Sequence, residues 1–478
     1  MAWPVQDRVQ RTVVSRRHGM ARDVVTRWHV AAKKRGTNVV QSQAVRGVAT
    51  APTFRAYSDN QIDKLAARAR FSVDDRLVMR AVAAVLPFRT NSYIVDELID
   101  WMAVPDDPIF RLTFPQGDML APADLSRMVD LVRRDASRQE VRQAAHDIRS
   151  RLSPHPDGQI ELNTPSYNGA VLNGMQHKYP QTLLFFPRHG QTCHAYCTYC
   201  FRWPQFVGEP ELKMATNDTD ALLAYLLCHP EVTNVLITGG DPLIMSTLVL
   251  ERYIDALLDP RLEGLESIRI GTKAISYWPY RFVTDSDADD LMRLFERVVA
   301  AGKHLAVMGH FSHPRELEPD IAATALQRIR STGAVVRCQA PLIRGVNDDP
   351  HTWATLWRNT TRMGAIPYYM FVERTTGPKD YFAVPLAKGY EIFRDAYKEV
   401  SGLARTVRGP IMSAAPGKVC VDGVVDICGE RVFVLHFVQA RKSELVNQPF
   451  FARFDPAATW LTDLTPALGA TRFLFEPA

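Results

Sequence analysis

The chain has 478 residues, 46% hydrophobic and 23% charged, with a formal net charge of +5. That size allows one sizeable domain with extensions. No apolar run is long enough to span a bilayer, the N-terminus lacks the apolar stretch of a secretory signal, and seven cysteines are too few for a disulfide scaffold, so a reducing, cytoplasmic setting is expected.

The charge is unevenly placed. Residues 1–50 carry ten Lys/Arg against Asp7 and Asp23, a net +8, which leaves −3 for the rest. The expectation is a basic, flexible leader over 1–55 on a mildly acidic body, with nucleic acid not the main partner.

Residues 56–180 read as a helical region. DLSRMVDLVRRDASRQEVRQAAHDIRSRL (124–152) is read as one helical stretch, with Leu125, Met128, Val129, Leu131 and Val132 at helical spacing. PDDPIF (105–110) and SPHPDG (153–158) interrupt the pattern.

From about 181 to 410 short apolar runs alternate with amphipathic helices. The runs are TLLFFP (182–187), NVLITGG (234–240), SIRIGTK (267–273), HLAVMGHF (304–311), VVRCQAPLI (335–343) and IPYYMFVE (366–373). One helix between them has Ser286 or Asp287 as its cap, Leu291, Leu294, Phe295, Val298 and Val299 on one face, and Gly302 as its stop. Sixfold strand–helix alternation implies an α/β fold with a parallel sheet covered by helices, either a barrel or a doubly wound sheet. In both, ligands gather beyond the carboxyl ends of the strands.

Directly after the first run comes RHGQTCHAYCTYCFRWPQF (188–206), with Cys193, Cys197 and Cys200 spaced C-x3-C-x2-C. Thiolates suit zinc or iron–sulfur clusters. A structural zinc site closes with four ligands, and His189 or His194 is the candidate fourth. The next run ends in Gly239, Gly240 and Asp241, where glycines let backbone approach a ligand closely. The tail, 411–478, reads as β-rich, and its Cys420 and Cys428 read as ordinary core cysteines.

C-x3-C-x2-C with Tyr199 before the last cysteine resembles the signature of the radical S-adenosylmethionine (SAM) superfamily. In that superfamily three thiolates leave one iron of a [4Fe–4S] cluster open to the amino and carboxylate groups of SAM, and one electron cleaves SAM to a 5′-deoxyadenosyl radical. TNSYIVDELIDWMAVPDDPIFRLTFPQ, HKYPQTLLFF, ITGGDPLIMS, GHFSHPRE, PLIRGVNDD, IPYYMF and VPLAKGYEI together resemble the lysine 2,3-aminomutase family, over roughly 91–425. The resemblance implies a partial (β/α)6 TIM-like barrel with an N-terminal helical region, a C-terminal segment that aids oligomerisation as a dimer or tetramer, and an electron donor such as flavodoxin or ferredoxin. It implies an amino acid as substrate and a 1,2-amino shift assisted by pyridoxal 5′-phosphate (PLP).

Residue by residue, the resemblance puts the cluster on Cys193, Cys197 and Cys200, and SAM beside Gly239, Gly240, Asp241, His310 and Gln339. Asn347 matches a further polar position near the cofactors. Lys418, in SAAPGKVC, is the candidate Schiff-base lysine for PLP, and Lys178 falls on a phosphate-binding arginine. The second phosphate-binding base, four positions later, is Thr182 here. Arg202 matches an arginine that grips the substrate carboxylate.

Two departures bear on the substrate. Members specific for lysine hold its distant ammonium with two aspartates, and Arg374 (beside Glu373) and Ala414 occupy those positions. An ammonium beside Arg374 faces like-charge repulsion, so the expected substrate is an acidic or neutral amino acid such as glutamate. The same departure opposes a role in supplying β-lysyl groups to elongation factor P. A PLP-independent radical SAM enzyme (a dehydrogenase or epimerase) and a non-enzymatic metal-binding protein are the alternative readings.

Overall fold

The computed structural model describes residues 52–476. The leader expected at the N-terminus lies, up to residue 51, outside the described residues. Among the described residues no helix is long and apolar enough to cross a membrane.

Helix α1 (Val73–Val85) starts at Ser72, whose hydroxyl accepts from Asp75 N at 3.1 Å while Ser72 N donates back to Asp75 at 2.9 Å. The stretch read as one helix over 124–152 is two, α2 (Pro122–Arg133) and α3 (Arg138–Arg151). Asp135 between them takes a φ of 50°. Ser137 and Glu140 then close a reciprocal cap, Ser137 N donating to Glu140 Oε2 at 3.0 Å. This S-x-x-E signal lies inside the apolar stripe, and the local cap wins over the periodicity. The helices bury Val82, Met128 and Ile148 in a core that reaches the cysteine loop through Ala195 and Tyr199.

All six apolar runs become strands of one eleven-stranded sheet. β1 (Met175–Tyr179) is antiparallel to β2 (Thr182–Phe185). β2, β3 (Asn234–Ile237), β4 (Ser267–Thr272), β5 (His304–His310), β6 (Val335–Leu342), β7 (Ile366–Val372) and β8 (Arg408–Ser413) then run parallel in sequence order. β9 (Gly417–Ile427), β10 (Glu430–Ala440) and β11 (Pro449–Arg453) continue the sheet antiparallel. The sheet is open, with β1 and β11 as its edges. β8 is not legible in the sequence because Pro410 removes a ladder donor in a six-residue strand.

Helices α4 (Thr219–Cys228), α5 (Thr247–Leu257), α6 (Ala288–Ala300), α7 (Asp320–Ser331), α8 (Pro350–Arg362) and α9 (Leu386–Lys398) follow the strands in turn. Along β6, Val336, Cys338, Ala340 and Leu342 are buried with Leu326 and Ile329 of α7 and Trp353 of α8. The period of two therefore turns Arg337 and Gln339 to the opposite face. That face carries the chemistry.

Asp287 stands at the start of α6 but makes no side-chain cap to it. Its carboxylate instead takes Thr247 N at 2.6 Å, the first residue of α5, and Arg281 at 2.8 Å. A buried guanidinium is a stronger partner than an amide. The C-terminal strands pack their own core of Phe433, Phe437, Phe450 and Trp460. Cys420 is buried on β9 in a separate small cluster with Tyr369 and Ile411, while Cys428 is exposed at the β9–β10 turn.

Candidate active site

The cysteine loop leaves the carboxyl end of β2 and is fastened from two sides. The N-terminal region takes Tyr196 N on Arg89 O (2.8 Å), Thr198 N on Leu112 O (2.9 Å) and Thr198 Oγ1 on Arg111 O (2.6 Å). The segment after β3 answers with Asp241 N on Thr192 O at 2.7 Å. Glycines are required there for packing of chain on chain. A Cβ on Gly240 would stand 2.6 Å from Thr192 N, and one on Gly239 (φ +145°) would strike Gln191. The close approach expected toward a ligand is thus, in the first place, an approach to the cysteine loop.

Cys193, Cys197 and Cys200 are free and partly buried. Burial pushes all three thiols up, Cys200 to about 12, and their mutual repulsion pushes Cys193 and Cys200 further. Each also has one cation drawing it toward the thiolate: Arg89 for Cys193, Lys273 for Cys197 and Arg202 for Cys200. Three thiols with three separate cations suit a polynuclear cluster carrying several thiolates. A single tetrahedral zinc fits poorly. It would need sulfurs about 3.8 Å apart for Zn–S bonds of about 2.3 Å, and the three sulfurs do not gather as a set within 4.8 Å. His189 Nδ1 is engaged by Tyr253 Oη at 2.9 Å, and the His194 ring packs edge-on to Phe54.

Next to the cysteines, His310 ends β5 and Gln339 lies beside it in register on β6, its amide donating to His310 Nε2 at 2.9 Å. Burial, then Lys273 and Arg202, depress His310 to about 3, so the ring is neutral. Asp241 is buried, and its oxygens accept from Leu243 N (3.0 Å), Thr272 Oγ1 (2.8 Å) and Lys273 N (2.8 Å). Its carboxylate ties β3 to β4. Asn347 is likewise engaged within the protein. It donates to Ser312 O and Pro341 O and accepts from Ile343 N, which consumes its amide.

Sequence reasoning missed Lys273. Its ammonium pairs with buried Glu316 at 2.7 Å and stands 4.4 Å from the Tyr277 ring centroid. Cys197 donates to the hydroxyl of that same tyrosine at 3.6 Å. The signal was available in the final residue of SIRIGTK, a lysine at a strand's carboxyl end.

Lys418 is the second residue of β9 and points inward. It donates to Gln439 Oε1 and lies 5.1 Å from the Tyr179 ring centroid and 5.4 Å from that of Tyr369. Burial, followed by Arg269, Lys178 and Arg408, lowers it to about 7. Gly417 before it is needed for the strand pairing, since a Cβ would meet Phe437 at 2.8 Å. Lys178 on β1 donates to Ala414 O and is likewise lowered to about 7, by burial and then by Arg374 and Arg441. A lysine that is neutral near pH 7 is a competent nucleophile toward an aldehyde, so these residues fit a cofactor that carries one.

Arg202 stacks on Phe186 (4.5 Å) and Phe201 (4.9 Å) and has no carboxylate partner among the described residues. Burial lowers it to about 10, still a cation at neutral pH. Glu373 is 9% exposed, and burial raises it to about 8. Arg374 turns inward over Phe201 and pairs with Asp157 at 3.1 Å.

No family model matches the chain. A protein of Aquifex aeolicus provisionally named L-lysine 2,3-aminomutase is 32% identical over 394 residues, covering 82% of this chain and 91% of the relative. The L-lysine 2,3-aminomutase of Fusobacterium nucleatum is 27% identical over 266 residues, 56% of each chain. Among solved structures, a radical SAM methyltransferase from Sphaerobacter thermophilus aligns over 49% of this chain and 68% of its own, with 15% identity and a TM-score of 0.34, too low to carry weight. An open parallel sheet with three cysteines at its carboxyl edge is the frame of a radical SAM enzyme, which takes SAM and a [4Fe–4S] cluster as cofactors. The chain belongs to the lysine 2,3-aminomutase family, and is an aminomutase-type isomerase.

Proposed function

We propose that this enzyme moves an amino group between the α- and β-carbons of an amino acid whose side chain is acidic or neutral, with PLP held at Lys418. The observation that carries this reading is the buried, aromatic-flanked Lys418 with its pKa lowered to about 7. In the same reading, the parallel strands curve as a partial (β/α)6 barrel, and the protein works in the cytoplasm as a homo-oligomer fed by flavodoxin or ferredoxin.

Cys193, Cys197 and Cys200 would hold the cluster, and Gly239, Gly240, His310 and Gln339 would border SAM, with Asp241 fixing their backbone. When bound, the cluster and SAM supply a hydrogen-abstracting radical, and PLP supplies delocalisation of the unpaired electron while nitrogen changes carbons. Arg202 grips the substrate carboxylate through its two-pronged guanidinium, the geometry that suits a carboxylate. Its lack of a protein anion leaves those donors free to do so. Lys418, neutral near pH 7, attaches the cofactor and releases it to the incoming amine. His310, neutral and hydrogen-bonded to Gln339, would border SAM without adding a charge of its own.

Arg374 supports the exclusion of lysine by what it withholds: paired with Asp157, it is not a bare cation, and it offers an ammonium no carboxylate. It stands where the family's lysine-specific members carry an aspartate, and Ala414 at the second such position offers only a methyl. The test is turnover by the reconstituted, anaerobic enzyme on a panel of amino acids. Formation of a β-amino acid from an acidic or neutral substrate is expected, and efficient production of β-lysine overturns the specificity. Borohydride reduction that fixes PLP to the chain but not to Lys418→Ala is the matching test of the anchor.

A further inference from the structure

On the sheet face opposite the helices, three arginines gather around two tyrosines with no carboxylate partner among the described residues. Arg269 of β4, Arg337 of β6 and Arg408 of β8 surround Tyr368 and Tyr369 of β7. Arg337 Cζ is 5.2 Å and Arg408 Cζ 4.7 Å from the Tyr368 ring centroid, and Arg408 Cζ is 4.5 Å from that of Tyr369. Arg269 feels both tyrosines and Arg337, and its Nε donates to Asn234 Oδ1 at 2.7 Å. Lys418 Nζ lies against the same Tyr369 ring, with Arg269 and Arg408 among the charges that depress it. None of these four cations forms an ion pair with a carboxylate among the described residues.

Such an arrangement opposes itself. Arg269, Arg337 and Lys418 are half-buried and Arg408 is exposed, so the repulsion acts chiefly among the first three, in a medium of reduced dielectric, and tyrosine faces offset it only in part. A multivalent anion would resolve the conflict, and the planar fork of a guanidinium suits a phosphate's oxygens. The lysine on the other side is less free to serve. Lys178 already donates to Ala414 O, and the neighbouring Arg374 is paired with Asp157. Position also argues for the arginines. Thr182, which takes the place of an expected phosphate-binding base, pairs in register with Asn234, and Asn234 is the residue that receives Arg269. A guanidinium thus arrives from β4 at the end of the sheet where β2 offers none.

We propose that Arg269, Arg337 and Arg408 form a phosphate-monoester seat, which holds the phosphate of the cofactor anchored at Lys418. This rests on the PLP reading above and adds where its phosphate goes.

The test compares PLP with pyridoxal, the same aldehyde without phosphate, on the full-length apoprotein. Absorbance titration and borohydride trapping at Lys418 are the readouts. Wild type should bind PLP at least tenfold more tightly than pyridoxal, and inorganic phosphate should compete with PLP. Arg269→Met and Arg408→Met should each lower the ratio of PLP affinity to pyridoxal affinity about tenfold or more, the worth of one charge-assisted contact, a ratio that cancels the change both variants also make at the Lys418 amine. Pyridoxal binding is also the check that each variant is folded, and Arg269→Lys serves where Arg269→Met fails it. If both variants bind PLP like wild type while Lys178→Met abolishes the preference for PLP, the seat is wrong and the PLP anchor stands. If neither aldehyde is trapped at Lys418 in wild type, anchor and seat fall together, even where inorganic phosphate still binds the arginines.

Discussion

The guanidinium of Arg374 donates to the Asp157 carboxylate at 3.1 Å, with the two side chains only 14% and 9% exposed. Asp157 is fixed for this contact by a left-handed backbone (φ 59°) and by Trp460 Nε1, which donates to its other oxygen at 3.3 Å. Arg374 also donates to Ser413 O at 2.9 Å, next to Ala414. The two positions that distinguish this chain from lysine-specific members therefore adjoin one another. Free lysine should show no measurable turnover in wild type. Arg374→Asp with Ala414→Asp should bring lysine turnover in, read as β-lysine by chromatography. The specificity argument fails if wild type already makes it.

Asp157→Ala tests the same pair through stability. It leaves the Arg374 cation beside Lys178, which already feels it. Removing one partner of a buried pair costs about 3 kcal/mol or more. Urea denaturation of the apoprotein should show a loss of that order, and Arg374→Met with Asp157→Ala should recover part of it. Equal stability of Asp157→Ala and wild type would mean the pair is solvated.

Gly240→Ala should loosen the cysteine loop. Its Cβ would press on the backbone of Thr192, which cannot rotate away as a side chain can. Overpacking of this kind costs about 1–3 kcal/mol. We expect lower iron retention after anaerobic reconstitution and a lower Tm, while Gly402→Ala, which meets open space, leaves both unchanged. Normal iron loading in Gly240→Ala would detach the glycine from the loop's geometry.

Much of this was legible in the sequence, for a physical reason. The six strands are short apolar runs buried against helices, and burial leaves a compositional trace that periodicity detects. C-x3-C-x2-C is legible because ligand spacing is local. What was not legible depends on long-range pairing. Lys273 meets Glu316 across 43 positions, and Arg374 meets Asp157 across 217. Asp241 looked like a ligand for a small molecule, yet Thr272 and Lys273 of the next strand's end occupy it. The split of α2 from α3 was written locally, in Ser137 and Glu140, and was masked by an uninterrupted apolar stripe.

Single Cys193→Ser, Cys197→Ser and Cys200→Ser changes should each abolish stable loading of about four irons per chain and with it cleavage of SAM to 5′-deoxyadenosine. A chelator that strips iron from wild type should do the same reversibly. Retention of full iron in any one variant would remove that cysteine from the ligand set. Arg89→Met, which takes away the cation that draws Cys193 toward the thiolate, should weaken loading without abolishing it.

The pH dependence of Lys418 follows from its burial among cations. Its amine is neutral above about 7 instead of about 10.5, so the rate of trapping pyridoxal at Lys418 should rise up to pH about 7 and then level off. An unperturbed lysine would go on gaining up to about 10.4. Stability must move accordingly. Between those values the unfolded chain binds a proton that the folded one does not, so apoprotein stability rises with pH across that window. The cost of the buried ammonium is fully present below pH 7 and is relieved toward pH 10.5. Lys178, lowered to about 7 as well, adds to the same slope. Denaturant midpoints from pH 7 to 9 should therefore increase in wild type, less so in Lys418→Met, and least in Lys418→Met with Lys178→Met. Trapping that keeps accelerating beyond pH 9 would show that Lys418 is an ordinary, solvated lysine and would remove the physical basis for its role as anchor.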